Sequence, residues 1–197
     1  MKMSPELLEI AKFIGHKDLR SLLFLQSLVW EMQPELVVEL GTGYACSTIF
    51  IAMGLGTGHV ISIDNHMDQA EDIDIPLANV EKCGMTDRVV LKTGSTFDSG
   101  TIVRREFPDV KAGVLFMDAS HNKKDLWREY QAVQPILADR HIIMIDDLIS
   151  EDTSEFYREL AEGYSFCAEF PYHNGSGVIG TDDDFNDIVD EAANSAS

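Results

Sequence analysis

The stretch Val37-Val38-Glu39-Leu40-Gly41-Thr42-Gly43-Tyr44-Ala45-Cys46-Ser47-Thr48 decides how this chain is read. A short apolar run ends in an acid. Two glycines follow, one residue apart, and the residues after them suit the start of a helix. The order predicts strand, tight turn and helix N-terminus. Glycine lets backbone approach a ligand closely, and the first turn of a helix offers N–H groups that have no partner inside the helix. In an open α/β sheet, such a turn at the carboxyl end of the first strand is where nucleotide-like ligands bind.

Upstream of that turn, Ser4-Pro5-Glu6 carries the signals of a helix start, and Leu7, Leu8, Ile10, Ala11 and Ile14 repeat at helical spacing until Gly15. A second helix is expected over 18–32, with Leu22, Leu25, Leu28 and Val29 as its apolar side and Trp30 as a core residue. Pro34 ends it.

Downstream, the pattern alternates. Helix 47–53 leads to strand 59–64, which closes on Asp64, and then to a polar loop over 65–74. Helix 76–83 leads to strand 89–93, which ends before Gly94-Ser95. Helical residues 98–107 lead to strand 114–118, which closes on Asp118. A long helix over 123–137 leads to strand 142–147, which closes on Asp146 and Asp147. Helix 153–162 precedes two strands, 165–172 and 178–181, joined by the hairpin-like His173-Asn174-Gly175-Ser176-Gly177. Nearly continuous apolar strands flanked by helices indicate a sheet covered on both faces. The expected fold is therefore α/β: a Rossmann-like, mostly parallel seven-stranded sheet with helices on both faces and a C-terminal antiparallel hairpin. Ligands of such sheets bind outside the carboxyl ends of the strands, the edge where Glu39, Asp64, Asp118, Asp146 and Asp147 fall.

Composition narrows the class. At 197 residues and 45% hydrophobic, the chain suits one domain over 1–181, with helices in 1–33 covering the sheet. Residues 182–197 are expected to be a solvated acidic tail, with Asp182, Asp183, Asp184, Asp187, Asp190 and Glu191 within it. A net charge of -19 repels phosphate, which argues against nucleic acid and anionic membrane as partners. There is no run of 18 apolar residues and no basic-then-apolar N-terminus, so a cytoplasmic location is expected. Cys46, Cys83 and Cys167 lie far apart without metal-finger spacing and read as reduced thiols.

The strand with Glu-Leu-Gly-Thr-Gly, then Asp64, then Gly94-Ser95, then five βα units and a hairpin resemble a class I S-adenosylmethionine-dependent methyltransferase. The acids Asp118, Asp146 and Asp147 narrow the likeness to the metal-dependent O-methyltransferases of the catechol and caffeoyl-CoA type and their bacterial natural-product relatives. The resemblance spans roughly 34–148. It implies S-adenosyl-L-methionine as cofactor, with Glu39, Gly41, Gly43 and Ser47 at its methionine part, Asp64 at the ribose hydroxyls, and Gly94, Ser95 and Thr96 on the adenine side. Asp118, and Ser120 just after it, would also border the cofactor. Ala45 stands where a small residue, often glycine, is usual. A dinucleotide fingerprint would need a third glycine where this chain has Cys46.

The likeness further implies a divalent cation, magnesium by preference, on Asp118, Asp146 and Asp147. Hard cations take oxygen ligands, and three crowded carboxylates repel unless a cation or protons neutralise them. The family usually carries Asp-Asn where this chain has Asp146-Asp147. His121, three residues after Asp118, holds the place of a lysine base in the catechol branch, and histidine titrates near neutrality. General base, metal ligand and helix-capping residue all remain open for it, and one acid capping a helix while another faces water is the bland reading of the acids.

The expected activity is methyl transfer to a hydroxyl of a small molecule such as a sugar, polyketide or phenol. No counterpart is found for the glutamate that holds the second hydroxyl in catechol enzymes. The rival readings are a nitrogen acceptor, a metal-free enzyme of the same fold, a non-catalytic cofactor-binding protein and an NAD-dependent oxidoreductase. A homodimer is one of two expectations for the apolar N-terminal helices, the other being cover for their own sheet.

Overall fold

The computed structural model describes residues 18–65, 74–172 and 174–196. The helix expected over 4–15, most of the loop over 65–74, and His173 lie outside the described residues. Elements follow in the order α1 (Leu19–Met32), β1 (Leu36–Leu40), α2 (Cys46–Gly54), β2 (His59–Asp64), α3 (Asp74–Lys82), β3 (Val89–Thr93), α4 (Ser99–Glu106), β4 (Ala112–Met117), α5 (Lys123–Val133), β5 (Leu137–Ile145), α6 (Glu151–Ala161), β6 (Phe166–Phe170), β7 (Ser176–Gly180) and α7 (Phe185–Ser195). Short 3₁₀ turns at Thr96–Asp98 and Gln134–Ile136 lead into α4 and β5.

The strands form one seven-stranded sheet in the order β3-β2-β1-β4-β5-β7-β6. β3 through β5 run parallel, and β7 joins β5 and β6 antiparallel. This is the Rossmann-like, mostly parallel topology with a C-terminal antiparallel hairpin expected from the sequence. The order reverses between β1 and β4, which opens a crevice at their carboxyl ends.

Strand periodicity of two sorts the apolar residues onto two faces. Leu36, Val38 and Leu40, with Leu115, Met117, Ile143 and Ile145, meet α4, α5 and α6 through Val103, Leu126, Val133, Phe156 and Leu160. Val37, Val60, Val114, Phe116, Ile142, Met144 and Val178 face the other way, onto Phe24, Leu25, Leu28 and Val29 of α1, Ile51 of α2, and α7. Leu22, Leu25, Leu28 and Val29 are buried as their helical spacing predicts, but Trp30 is 54% exposed. The apolar stripe of α1 passes beside Trp30, so bulk alone does not bring it inside.

The C-terminal tail is a second correction. Residues 182–196, within the stretch expected as an acidic tail over 182–197, are not a solvated extension: α7 packs on the sheet through Phe185, Val189 and Ala192, all essentially inaccessible to solvent. These positions recur at helical spacing between the acids Asp187, Asp190 and Glu191, and the charge count hides the stripe. Gly180 makes room for the Phe185 ring, since a Cβ there would lie 2.2 Å from Phe185 Cδ2. Burying a phenyl ring of this kind contributes about 1.5–3 kcal/mol.

Candidate active site

The glycine turn is held from both sides. Gly41, at φ +96°, donates its N–H to Ile63 O at 2.9 Å. A Cβ on Gly41 would lie 2.5 Å from the Asp118 carbonyl oxygen, so its missing side chain admits the loop after β4. Gly43, at φ +48°, has nothing within 4 Å of its Cβ position. The Asp64 carboxylate oxygen Oδ2 accepts the N–H of Thr42 at 2.9 Å and of Gly43 at 3.1 Å. The Thr42 and Ser62 hydroxyls bond each other at 2.7 Å. Asp64 thus shapes the turn as well as bordering the cavity beside it. Ala45 takes a left-handed conformation, φ 63°, at the start of α2, a geometry that glycine adopts without strain.

A cavity of about 470 Å³ opens above this turn. Gly41, Gly43, Ser47, Asp64, Ser95, Thr96 and Asp118, all read from the sequence as cofactor residues, line it together with Ser120. Its length runs from the first turn of α2, past the end of β2, to the loops after β3 and β4. Two of the sequence-read residues lie elsewhere. Glu39 is fully buried, accepts a hydrogen bond from the Thr48 hydroxyl, and does not line the cavity. It ties β1 to α2. Gly94 also stands behind the wall, with its N–H on Asp64 O at 3.1 Å and its α-carbon facing Ile102.

Sequence reasoning missed Phe97, Asp125 and Glu129, which line the same cavity. The Arg128 guanidinium sits 3.8 Å from the centre of the Phe97 ring. Glu129, on α5, is fully buried, and its Oε1 accepts both the Thr96 and the Ser120 hydroxyl at 2.7 Å. Burial pushes this carboxyl above the ordinary carboxylate range, and the two hydroxyl bonds pull it partly back. Its contribution to stability is therefore fullest at low pH and is lost as pH rises through the raised value. An acid at a helical position otherwise occupied by Leu126, Tyr130 and Val133 was the available signal, since buried acids are rare without a purpose.

The acids beyond the cavity sit on neighbouring strand ends. The Asp118 N–H donates to Leu40 O at 2.9 Å and the Asp146 N–H to Met117 O at 3.1 Å, so β1, β4 and β5 end level. Asp146 is 2% exposed, and its Oδ1 accepts the Ser176 hydroxyl at 2.9 Å. Asp147, left-handed at φ 61°, accepts the Asn174 amide at 2.8 Å on Oδ1, and its Oδ2 lies 3.5 Å from His121 Nε2. Leu148 and Ile149 donate their N–H groups to Gly175 O and Asn174 O, stitching this loop to the β6–β7 hairpin.

The donor chemistry of Asp118, Asp146 and Asp147, oxygen only and acidic, suits a hard cation. Their arrangement is not yet that of a ligand shell: among the described residues no group of three or more His, Cys, Asp or Glu side chains stands ready to hold a metal ion.

A fold of this topology, with a cofactor-sized crevice at β1 and β4, is that of S-adenosylmethionine-dependent methyltransferases. A model of the rhamnosyl O-methyltransferase/CmcI family matches residues 9–170, and the chain belongs to that family. Among solved structures, an O-methyltransferase from Bacillus cereus, in complex with S-adenosylhomocysteine, is 20% identical at a TM-score of 0.76, over 92% of this chain and 93% of that one. TomG from Streptomyces achromogenes, an O-methyltransferase of tomaymycin synthesis in complex with S-adenosylmethionine, is 16% identical at 0.74, over 92% of both chains. A methyltransferase from Geobacter sulfurreducens is 18% identical at 0.71, over 91% and 89%. No curated protein sequence matches. No helix of the described residues is long and apolar enough to cross a membrane.

Proposed function

We propose that this methyltransferase moves the methyl group of S-adenosyl-L-methionine to a hydroxyl of a small molecule. The observation that carries the reading is the double position of Asp118. It lines the cavity built by the glycine turn and Asp64, and it ends the strand beside Asp146, with His121 three residues on and against Asp147. Donor and acceptor would therefore meet at one point, and holding two reactants in line supplies much of the rate in such transfers.

In this reading Gly43 and Ser47 border the methionine end, Asp64 the ribose, and Ser95, Thr96 and Ser120 the base. His121, half exposed beside the acids, accepts the proton of the acceptor hydroxyl. Asp147 orients that imidazole, and Asn174 in turn holds Asp147. A divalent cation on Asp118, Asp146 and Asp147, magnesium by its preference for oxygen, would lower the pKa of a bound hydroxyl as a Lewis acid.

The 3.5 Å approach of His121 to Asp147 favours a second reading, in which this base–carboxylate pair deprotonates the acceptor without a metal. The test is methyl transfer from isotopically labelled S-adenosylmethionine to a panel of hydroxylated sugars and phenols, before and after chelation. Transfer that is lost on chelation and restored by Mg²⁺ is the expected result. Transfer indifferent to chelation selects the metal-free pair. Cofactor binding with no transfer to any hydroxyl would sink the proposal. In either version His121→Ala lowers turnover by about 10²–10⁴-fold, while affinity for S-adenosylhomocysteine stays within about twofold, because His121 does not line the cofactor cavity.

A further inference from the structure

Among the described residues, Glu129 is the one buried acid of the cavity wall that the reaction does not use. It is fully inaccessible, so no ligand reaches its carboxyl directly. Its Oε2 has no hydrogen-bond partner among the described residues. Its hydrogen bonding goes wholly to Oε1, which takes the hydroxyl protons of Thr96 and Ser120. Those two hydroxyls come from different loops, one after β3 and one after β4, and both residues line the cavity. A hydroxyl has one proton. Once it is given to Glu129, the oxygen can only accept from whatever lies in the cavity.

From this juxtaposition we infer that Glu129 is a positioning residue that makes Thr96 and Ser120 a pair of pure acceptors and so selects a 6-amino purine over a 6-oxo purine in the cofactor. The inference rests on the proposed cofactor reading, which brings the base to this end of the cavity. Adenine presents its amino group as a donor and finds an acceptor waiting. The adenine amine has two protons, one for each acceptor oxygen, whereas a 6-oxo base presents an acceptor at that point with a single N–H beside it at N1, so it can serve one oxygen only, and neither hydroxyl can turn a proton toward the oxo group without breaking its bond to the buried carboxyl. A buried polar group left facing a like group costs more than a hydrogen bond gains.

The test is calorimetric binding of two ligands to the full chain: S-adenosylhomocysteine, and S-inosylhomocysteine, in which an oxo group replaces the amine. The parent protein should bind the adenosyl ligand about 10–100-fold more tightly. Glu129→Met frees both hydroxyls to turn, and the ratio should fall to about threefold or less. Glu129→Gln, whose amide oxygen can still take both protons, should keep most of the preference. A purely structural Glu129 would weaken both ligands together and leave the ratio of Glu129→Met at the parental value, which overturns the inference. If Glu129→Met does not fold, Ser120→Ala removes one acceptor, and an unchanged ratio there overturns it equally. No discrimination by the parent protein also overturns it. Binding of neither ligand by the parent overturns the cofactor reading itself, and this inference with it.

Discussion

The two halves of the strand-end edge are built differently. Beside β1 and β2, the glycine turn is closed by backbone: Gly41 N–H on Ile63, Thr42 and Gly43 N–H on one oxygen of Asp64, and the Gly41 α-carbon against the Asp118 carbonyl. Beside β5, the acids are held by side chains from the distant hairpin, Asn174 on Asp147 and Ser176 on Asp146, and His121 remains half exposed. The first half is a rigid receptacle whose shape follows from main-chain geometry. The second is a set of chemical groups whose spacing depends on side-chain rotamers. A ligand shared by many enzymes suits the first, and a variable acceptor suits the second, because loop-borne side chains change without disturbing the fold.

That contrast can be broken. Its largest expected consequence is at Asp64. Asp64→Ala removes the acceptor of two turn amides together with a carboxylate of the cavity wall, and hydrogen bonds to charged groups are worth about 1.5–3 kcal/mol each. Affinity for S-adenosylhomocysteine should fall about 100-fold or more, read by calorimetry. An unchanged affinity would mean that the turn holds its shape without Asp64. On the β5 side, Asn174→Ala leaves the cavity at the glycine turn intact but releases Asp147. Turnover should fall about tenfold, with cofactor affinity unmoved, since one hydrogen bond to a carboxylate is lost. Equal losses in both would show that the two halves are coupled. The smallest effect belongs to Ala45→Gly. Relief of the left-handed strain, about 1 kcal/mol, is set against loss of a fully buried methyl worth about 0.8 kcal/mol. Thermal denaturation should move by only a degree or two, and cofactor affinity should not move at all.

The same contrast explains what could be read in advance. The glycine-turn side is local in sequence. Its turn, its strand-end Asp64 and the Ser95-Thr96 pair carry their own signals, because strand period, glycine conformation and helix starts are short-range properties. The acids at the ends of β4 and β5 were legible for the same reason. The Asp147–Asn174 and Asp146–Ser176 bonds were not, because they join residues 27 and 30 positions apart across a hairpin packed against β5. Glu129 escaped because a helix acid looks solvated until its neighbours are known. The bond between the buried Glu39 and Thr48 was not legible either, because it became visible only when α2 was laid over β1.

By itself, the amino-acid sequence determined the alternation of strands and helices, the parallel sheet and the edge on which its strand-end acids fall, since hydrophobic period and turn residues act over a few positions. Tertiary structure alone decided that Trp30 stays at the surface, that the acidic segment 185–195 packs on the sheet as α7 through Phe185, and that one buried carboxyl gathers hydroxyls from two loops. Each of these depends on which faces meet across the sheet, and burial, unlike periodicity, is a property of the assembled layers.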